Sequence, residues 1–152
     1  MNVASSFPPP VSGFSEQEWH IRCHLAALYR LLAHLRMTDL IYTHISARLP
    51  AHAGEHHFLI NQYGVMFHEM RASDLVKIDT EGNMVESAGR SERNVNAAGF
   101  TIHSAVHMAR TDLMCVVHTH TAAGIAVSAQ KQGLLPISQH ALKFYGRLAY
   151  HG

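Results

Sequence analysis

Two histidines separated by one residue, His118 and His120, have the type and spacing of metal ligands. They follow the apolar run 113–117, which is short, contains two valines and predicts a buried strand. Side chains two apart on a strand point to the same side, so both imidazoles would leave one face at the strand's end. Zinc binds imidazole nitrogen, and a catalytic zinc typically has three protein ligands and one open position. The pattern predicts two ligands of a divalent metal site. The alternative is a polar strand end in a chain with 14 histidines.

The composition narrows the functional classes. With 152 residues, a hydrophobic fraction of 47%, and 12 basic and 11 acidic side chains, the chain suits one globular domain. A net charge of +1 gives no sign of a nucleic-acid or membrane-surface partner. We recognise no secretory signal and no apolar run of the roughly 20 residues that a membrane span needs. Cys23 and Cys115 both lie among apolar residues, and two buried thiols favour a reducing compartment, which predicts a cytoplasmic protein.

The elements that position the histidine pair begin with a helix. Residues 1–14, rich in proline and serine, are predicted to be a flexible arm, and residues 15–152 a single domain. Ser15 is expected to cap the helix, Glu18 to complete a capping box, and Phe14 and Trp19 to form a hydrophobic staple. One face is predicted to be core, and the other is predicted to be solvated. The core positions are Ile21, Leu25, Leu28, Leu32 and Leu35, and the solvated arginines are Arg22, Arg30 and Arg36.

The middle of the chain changes to a strand pattern. Extended segments at 40–49, 56–60, 75–79 and 84–86, with a turn at 61–64, indicate an antiparallel meander. Helical spacing resumes at Asn96, and a further helix is predicted at 122–130 before Gly133.

The helix that begins near Asn96 carries two different faces. Ile102, Val106 and Ala109 form its predicted apolar stripe. His103 and His107 are four residues apart and share another face. That spacing suits a metal site and a polar helix surface equally.

Several ordered blocks together resemble the class II aldolase/adducin family, from about Trp19 onward. The blocks are THISAR at 43–48, FLI at 58–60 with Gly64, DLVKID at 74–79, NAAGFTIHSA at 96–105, CVVHTHT at 115–121, AVSAQ at 126–130 and GLLP at 133–136. The resemblance implies an α/β/α sandwich with a central, mostly antiparallel sheet. It also implies a homotetramer with active sites between subunits, a small-molecule substrate, and zinc bound by three histidines, two of them His118 and His120.

Other positions depart from the family pattern. The resemblance places the acid/base glutamate at Gly99 and two phosphate-binding serines at Ala97 and Ala98. A glycine cannot move protons, and alanines cannot hydrogen-bond a phosphate, so the general acid/base is unidentified. The pair Ser91 and Glu92 lies too early in the chain to be a straightforward substitute.

The remaining candidates are substrate contacts. Thr43 and His44 replace the Gly-Asn of the family's other phosphate loop, whereas Ser46 and Gly64 keep its identities. The resemblance therefore implies substrate contacts at His44, Ser46 and Gly64, with turn formation as the alternative role of Gly64. His103 is the weak catalytic candidate, since family members carry a histidine there; the alternative is a solvated helix position.

The end of the chain and the missing phosphate-binding side chains both bear on function. In relatives the segment after Tyr150 continues and carries the third histidine ligand, and His151 does not match that motif. The chain is therefore expected to be the N-terminal part of a longer domain, with an incomplete metal site. Two functions remain open. One is a metal-dependent lyase that cleaves a carbon–carbon bond in a small hydroxy- or oxo-acid rather than a sugar phosphate. The other is a non-catalytic association domain like the head of adducin.

Overall fold

The computed structural model describes residues 8–10, 13–51, 54–85 and 94–150, in two compact units, Met1–Thr119 and His120–Gly152. The first unit contains α1 (Glu16–His34), β1 (His44–Arg48), β2 (Phe58–Ile60), two single 3-10 turns (Phe67–Glu69 and Ala72–Asp74), β3 (Val76–Ile78), α2 (Ala97–Ala109) and β4 (Cys115–His118). The second unit contains α3 (Ala122–Ser128) and α4 (Gln139–Leu142). The predicted boundary between an arm and a domain at residue 15 stays a prediction, since much of 1–14 lies outside the described residues.

Helix α1 begins as its sequence predicts, with one change. The Ser15 hydroxyl accepts a hydrogen bond from the Glu18 amide at 3.2 Å, and the Phe14 and Trp19 rings stack at 5.6 Å. The Glu18 carboxylate does not close the capping box. It accepts bonds from Arg22 at 2.7 Å and from Lys77 at 3.0 Å, so it ties α1 to β3 instead.

Arg22 corrects the predicted solvated face. Its side chain is fully buried and donates to the Leu75 carbonyl at 2.7 Å as well as to Glu18. A buried guanidinium is tolerated when its donors are satisfied and its charge is paired, and both conditions hold here. On the predicted core face, Leu25 and Leu32 are buried, Ile21 and Leu28 are partly buried, and Leu35 is exposed.

The four strands form one antiparallel sheet in the order β3-β2-β1-β4. The β1-β2-β3 part confirms the predicted meander. The predicted strand at 84–86 is reduced to a single bridge between Met84 and Ile78, and Glu86 lies outside the described residues.

Strand β1 is buried on both faces, and its alternation assigns one face to each helix. Ile45 and Ala47 pack in the core that α1 contributes to. Ser46, between them, points the other way and bonds to residues of α2. The sheet therefore carries one helix on each face, which confirms the α/β/α arrangement.

Strand β4 differs from the predicted buried strand. It lies at the edge of the sheet, and Cys115 and Val117 are exposed. An edge strand has a neighbour on only one side, so part of its apolar surface is uncovered. Of the two cysteines predicted to be buried, Cys23 is buried and Cys115 is not.

The buried and exposed faces of helix α2 are the reverse of those predicted. Ile102, in the predicted apolar stripe, is 62% exposed, whereas His103 and His107 are 3% and 1% exposed. The histidine face of α2 is the one that packs on the sheet.

The second unit is described by itself. Thr121 caps α3 by accepting from the Gly124 amide at 3.1 Å, and Ser138 caps α4 by accepting from the Ala141 amide at 3.1 Å. Gly133 follows α3 with φ +62°, as its predicted stop role requires. Across the described part of both units, no helix is long and apolar enough to cross a membrane.

Candidate active site

The strand register brings the predicted site residues to one end of the sheet. His44 opposes His118 across the β1-β4 pair, and Ser46 opposes both Val116 and Ile60. The first residue of β1 and the last residues of β2 and β4 therefore lie at the same end. The turn that follows β2 and contains Gly64 also leaves the sheet there.

At this end the imidazole of His44 contacts two other imidazoles. The His44 ring lies 4.4 Å from the His103 ring and 4.7 Å from the His118 ring, measured between centroids. His44 is 4% exposed, and His118 is half-buried. His44 therefore links α2 to the end of β4, and the predicted candidates His103 and His118 lie on either side of it.

A buried hydroxyl orients the histidines of α2. The Ser46 Oγ lies 2.7 Å from Nδ1 of His103 and 2.8 Å from Nε2 of His107. Both bonds are buried. A serine hydroxyl donates one hydrogen bond and has two acceptor lone pairs, so it can serve both rings at once.

The buried environment keeps the rings of His103 and His107 neutral. Burial, followed by the neighbouring His44, His107 and His118, lowers the pKa of His103 to about 3. Burial and the nearby Arg48 guanidinium lower the pKa of His107, and the Leu113 carbonyl opposes them. A neutral imidazole retains a lone pair for a metal or a proton, so both rings can act as acceptors at neutral pH.

Gly99 lies directly against His44. A Cβ placed on Gly99 would stand 2.7 Å from both Cε1 and Nε2 of the imidazole. Gly99 is in the first turn of α2, where its amide donates to Oδ1 of Asn96 at 3.4 Å. The position to which the resemblance assigns the acid/base side chain is therefore filled by the imidazole of His44.

Tyr29, which the sequence did not single out, supports the site from the opposite face. Its hydroxyl accepts from the amides of Ile45 and Asn61 at 2.9 and 3.1 Å and donates to the Ile45 carbonyl. Burial raises the pKa of this hydroxyl, so it stays protonated. Tyr29 holds β1 and the end of β2 together beneath His44. The sequence could have indicated this role, because Tyr29 places a polar hydroxyl within the apolar stripe of α1.

The predicted substrate contacts have different surroundings. His44 and Ser46 are both buried, and they differ in that the Ser46 hydroxyl is already bonded to two rings. Gly64 has φ +89° in an exposed turn, which accounts for its identity without a ligand. The pair Ser91 and Glu92, like His151, lies outside the described residues.

The metal assignment of His118 and His120 stays a prediction. His118 ends β4 in the first unit, and His120 begins the second unit. Imidazole nitrogens suit zinc. Within the described ranges, however, no group of three or more His, Cys, Asp or Glu side chains is arranged to hold a metal ion.

A family model described as the Class II Aldolase and Adducin N-terminal domain matches residues 23–152. An aldolase II superfamily protein from Pseudomonas syringae has a crystal structure that is 56% identical, with a TM-score of 0.84, and covers 91% of this chain. L-fuculose 1-phosphate aldolase from Glaciozyma antarctica is 33% identical, with a TM-score of 0.76 and the same 91% coverage of this chain. Rat alpha-adducin is 47% identical over 91% of this chain.

The matches differ in how much of the other protein they include. This chain covers 54% and 55% of the two solved structures and 18% of alpha-adducin. It spans about half the length of two curated bacterial relatives that it also matches, at 51% and 56%.

Proposed function

This chain belongs to the class II aldolase and adducin family, and on that premise we propose that the protein is a metal-dependent lyase that cleaves a carbon–carbon bond in a small hydroxy- or oxo-acid. The observation that carries the proposal is the cluster of His44, His103 and His118 at one end of the sheet, in which His44 and His103 are buried and His118 is half-buried. Imidazoles at the end of an edge strand, with the pKa of His103 lowered by burial, suit ligand binding and proton handling. They contribute little to a hydrophobic core.

We propose His118 and His120 as ligands of zinc or a similar divalent ion. A third donor is required, and the described residues do not supply it. A bound divalent ion would supply a Lewis acid for negative charge that develops beside a carbonyl. The contribution of this chain's own residues is positional. Ser46 orients His103, and the His44 ring stands between His103 and His118.

A carboxylate is the proposed ligand because, among the described residues, this end of the sheet offers few side-chain donors for a phosphate dianion, which needs several. Ala97 and Ala98 carry no hydroxyl, and the Ser46 hydroxyl is bonded to two imidazoles. A carboxylate carries less charge than a phosphate dianion, so fewer groups suffice to bind it.

The alternative is a non-catalytic association domain. It is favoured by the 47% identity to alpha-adducin, which exceeds the 33% identity to the fuculose 1-phosphate aldolase. It is also favoured by the absence of an acid/base side chain at Gly99. The histidine cluster favours the enzyme, because an association surface does not need imidazoles packed together at the end of a sheet.

Assembly as a homotetramer in the cytoplasm is part of the same proposal. Exposed apolar side chains in the first unit, including Ile102, Met114 and Val117, support further subunit or chain contacts. The thiols of Cys23 and Cys115 are free, which fits a reducing compartment.

Metal content tests the proposal. The protein, purified after growth with zinc, is analysed beside His118→Ala, His120→Ala and a control, His140→Ala, which removes an exposed histidine of α4. We expect the control to keep the metal content of the parent protein and the other two to lose most of it. Equal metal content in all four would overturn the metal assignment. A metal-free protein that self-associates and turns over no hydroxy- or oxo-acid would establish the association domain instead.

A further inference from the structure

His44 and Gly99 occupy a space that holds one side chain and not two. The contact joins the first residue of β1 to the third residue of α2. At 2.7 Å from Cε1 and Nε2, a Cβ on residue 99 would lie far inside the 3.5–4.0 Å of a normal carbon contact. Some part of the structure would have to move to accommodate it.

The imidazole has little room to move. His103 contacts one side of the ring and His118 another, at centroid distances of 4.4 and 4.7 Å. The backbone of β1 is paired with β2 and with β4, so the strand itself is held from both sides. Displacing the ring would therefore disturb the whole histidine cluster.

We infer that His44 and Gly99 form a steric pair that determines specificity. Because Gly99 has no side chain, the His44 imidazole fits against α2, and the ligand meets this imidazole in place of a side chain at position 99. The inference rests on the proposed function, in which a hydroxy- or oxo-carboxylate binds at this end of the sheet. His44 is then a ligand-contacting residue, and Gly99 is a positioning residue that acts through it.

The pair predicts that the effect of Gly99→Ala on stability changes sign when the His44 ring is removed. Alanine normally stabilises a helix relative to glycine. In the native protein, however, Gly99→Ala must push against a confined ring. Once the ring is removed by His44→Asn or His44→Ala, the same substitution loses the three atoms that lie nearest to its Cβ. Its effect on the melting temperature should then become neutral or favourable.

A double-mutant cycle in thermal unfolding tests the pair without any ligand. We expect Gly99→Ala to lower the Tm by about 3 °C or more in the native background, and to leave it unchanged or raise it beside His44→Asn. His44→Ala provides a second background in case the asparagine forms new contacts. Additive effects in both backgrounds would overturn the steric pair.

Gly124→Ala is the matched control. Gly124 follows two alanines at the third position of α3, as Gly99 does in α2, and its Cβ would meet the hydroxyl of its own cap, Thr121. Its effect on Tm should be the same with and without His44. A dependence on His44 as large as that of Gly99→Ala would show a global effect of the His44 substitutions and overturn the inference.

Calorimetric titration of the metal-loaded protein with glycolate and with inorganic phosphate tests the specificity. We expect His44→Ala and Gly99→Ala each to weaken glycolate binding by about 10-fold or more and to change phosphate binding much less. The double variant should bind glycolate no more weakly than His44→Ala. Equal losses for both ligands, or no loss, would overturn the specificity role. If the parent protein binds neither ligand, the specificity role and the proposed function both fail, while the Tm cycle still decides the steric pair.

Discussion

The hydroxyl of Ser46 lies 2.7 Å from Nδ1 of His103 and joins β1 to α2 inside the first unit. The same hydroxyl lies 2.8 Å from Nε2 of His107, and all three side chains are buried. Ser46 therefore has a structural use that is independent of any ligand, and the orientation of both rings depends on it.

Replacing Ser46 by alanine should destabilise the protein by about 2–6 kcal/mol, because two buried ring nitrogens lose their partner and each costs about 1–3 kcal/mol. Urea unfolding measures the loss. Ser104→Ala is the control, since its hydroxyl bonds to the Thr101 carbonyl of α2 at the surface. That change should stay within about 0.5 kcal/mol. Equal losses for the two variants would contradict the buried bridge.

Stability should fall as the pH is lowered from 7.5 to 5.5. The pKa of His103 is about 3 in the folded protein, well below its ordinary value of 6.5. The unfolded chain therefore binds the extra proton first, and each pH step below 6.5 favours unfolding. His103 alone contributes a loss of about 1.4 kcal/mol over this window, and His107, whose pKa is also lowered, adds to it.

His103→Asn removes this titration and keeps an amide to bond Ser46. The difference in unfolding free energy between pH 7.5 and 5.5 should shrink by about 1.4 kcal/mol relative to the parent protein. His68→Asn, at an exposed histidine, should leave the difference unchanged. An unchanged pH dependence in His103→Asn would mean that His103 is not buried as a neutral ring.

Leu25→Ala should cost about 2–5 kcal/mol, since Leu25 is 3% exposed and packs in the main core of the first unit. Leu28 follows on the same predicted stripe but is only partly buried beside a 250 Å³ apolar groove. Leu28→Ala should therefore cost clearly less. Chemical denaturation of both variants measures which loss of stability is larger. A larger loss for Leu28→Ala would indicate that another surface covers the groove.

The metal-loaded protein should bind a hydroxy- or oxo-carboxylate more tightly than the analogous sugar phosphate. At the positions that the resemblance assigns to phosphate binding, Ala97 and Ala98 have no hydroxyl in the sequence, and the Ser46 hydroxyl is already bonded to two rings. Competition between glycolate and a pentulose phosphate measures the preference. Tighter binding of the pentulose phosphate would restore a sugar-phosphate aldolase.

The sequence by itself determined the local elements and the family. Ser15, Phe14 and Trp19 specify the start of α1 through contacts within a few residues, and the alternation between residues 40 and 79 specifies the meander. The fold was predicted from the ordered motifs, because motifs shared with a family imply the family's topology. Local periodicity indicates helices and strands but not how they are arranged.

Only the tertiary structure decided which polar side chains are buried. Apolar periodicity placed Ile102 inside and Arg22 outside, and both assignments were wrong. Arg22 is buried because the Leu75 carbonyl, far along the chain, accepts from it. The histidine face of α2 is buried because Ser46 on β1 supplies a hydrogen-bond partner. Burial of a polar group depends on whether a partner reaches it, and such partners come together only when distant segments pack.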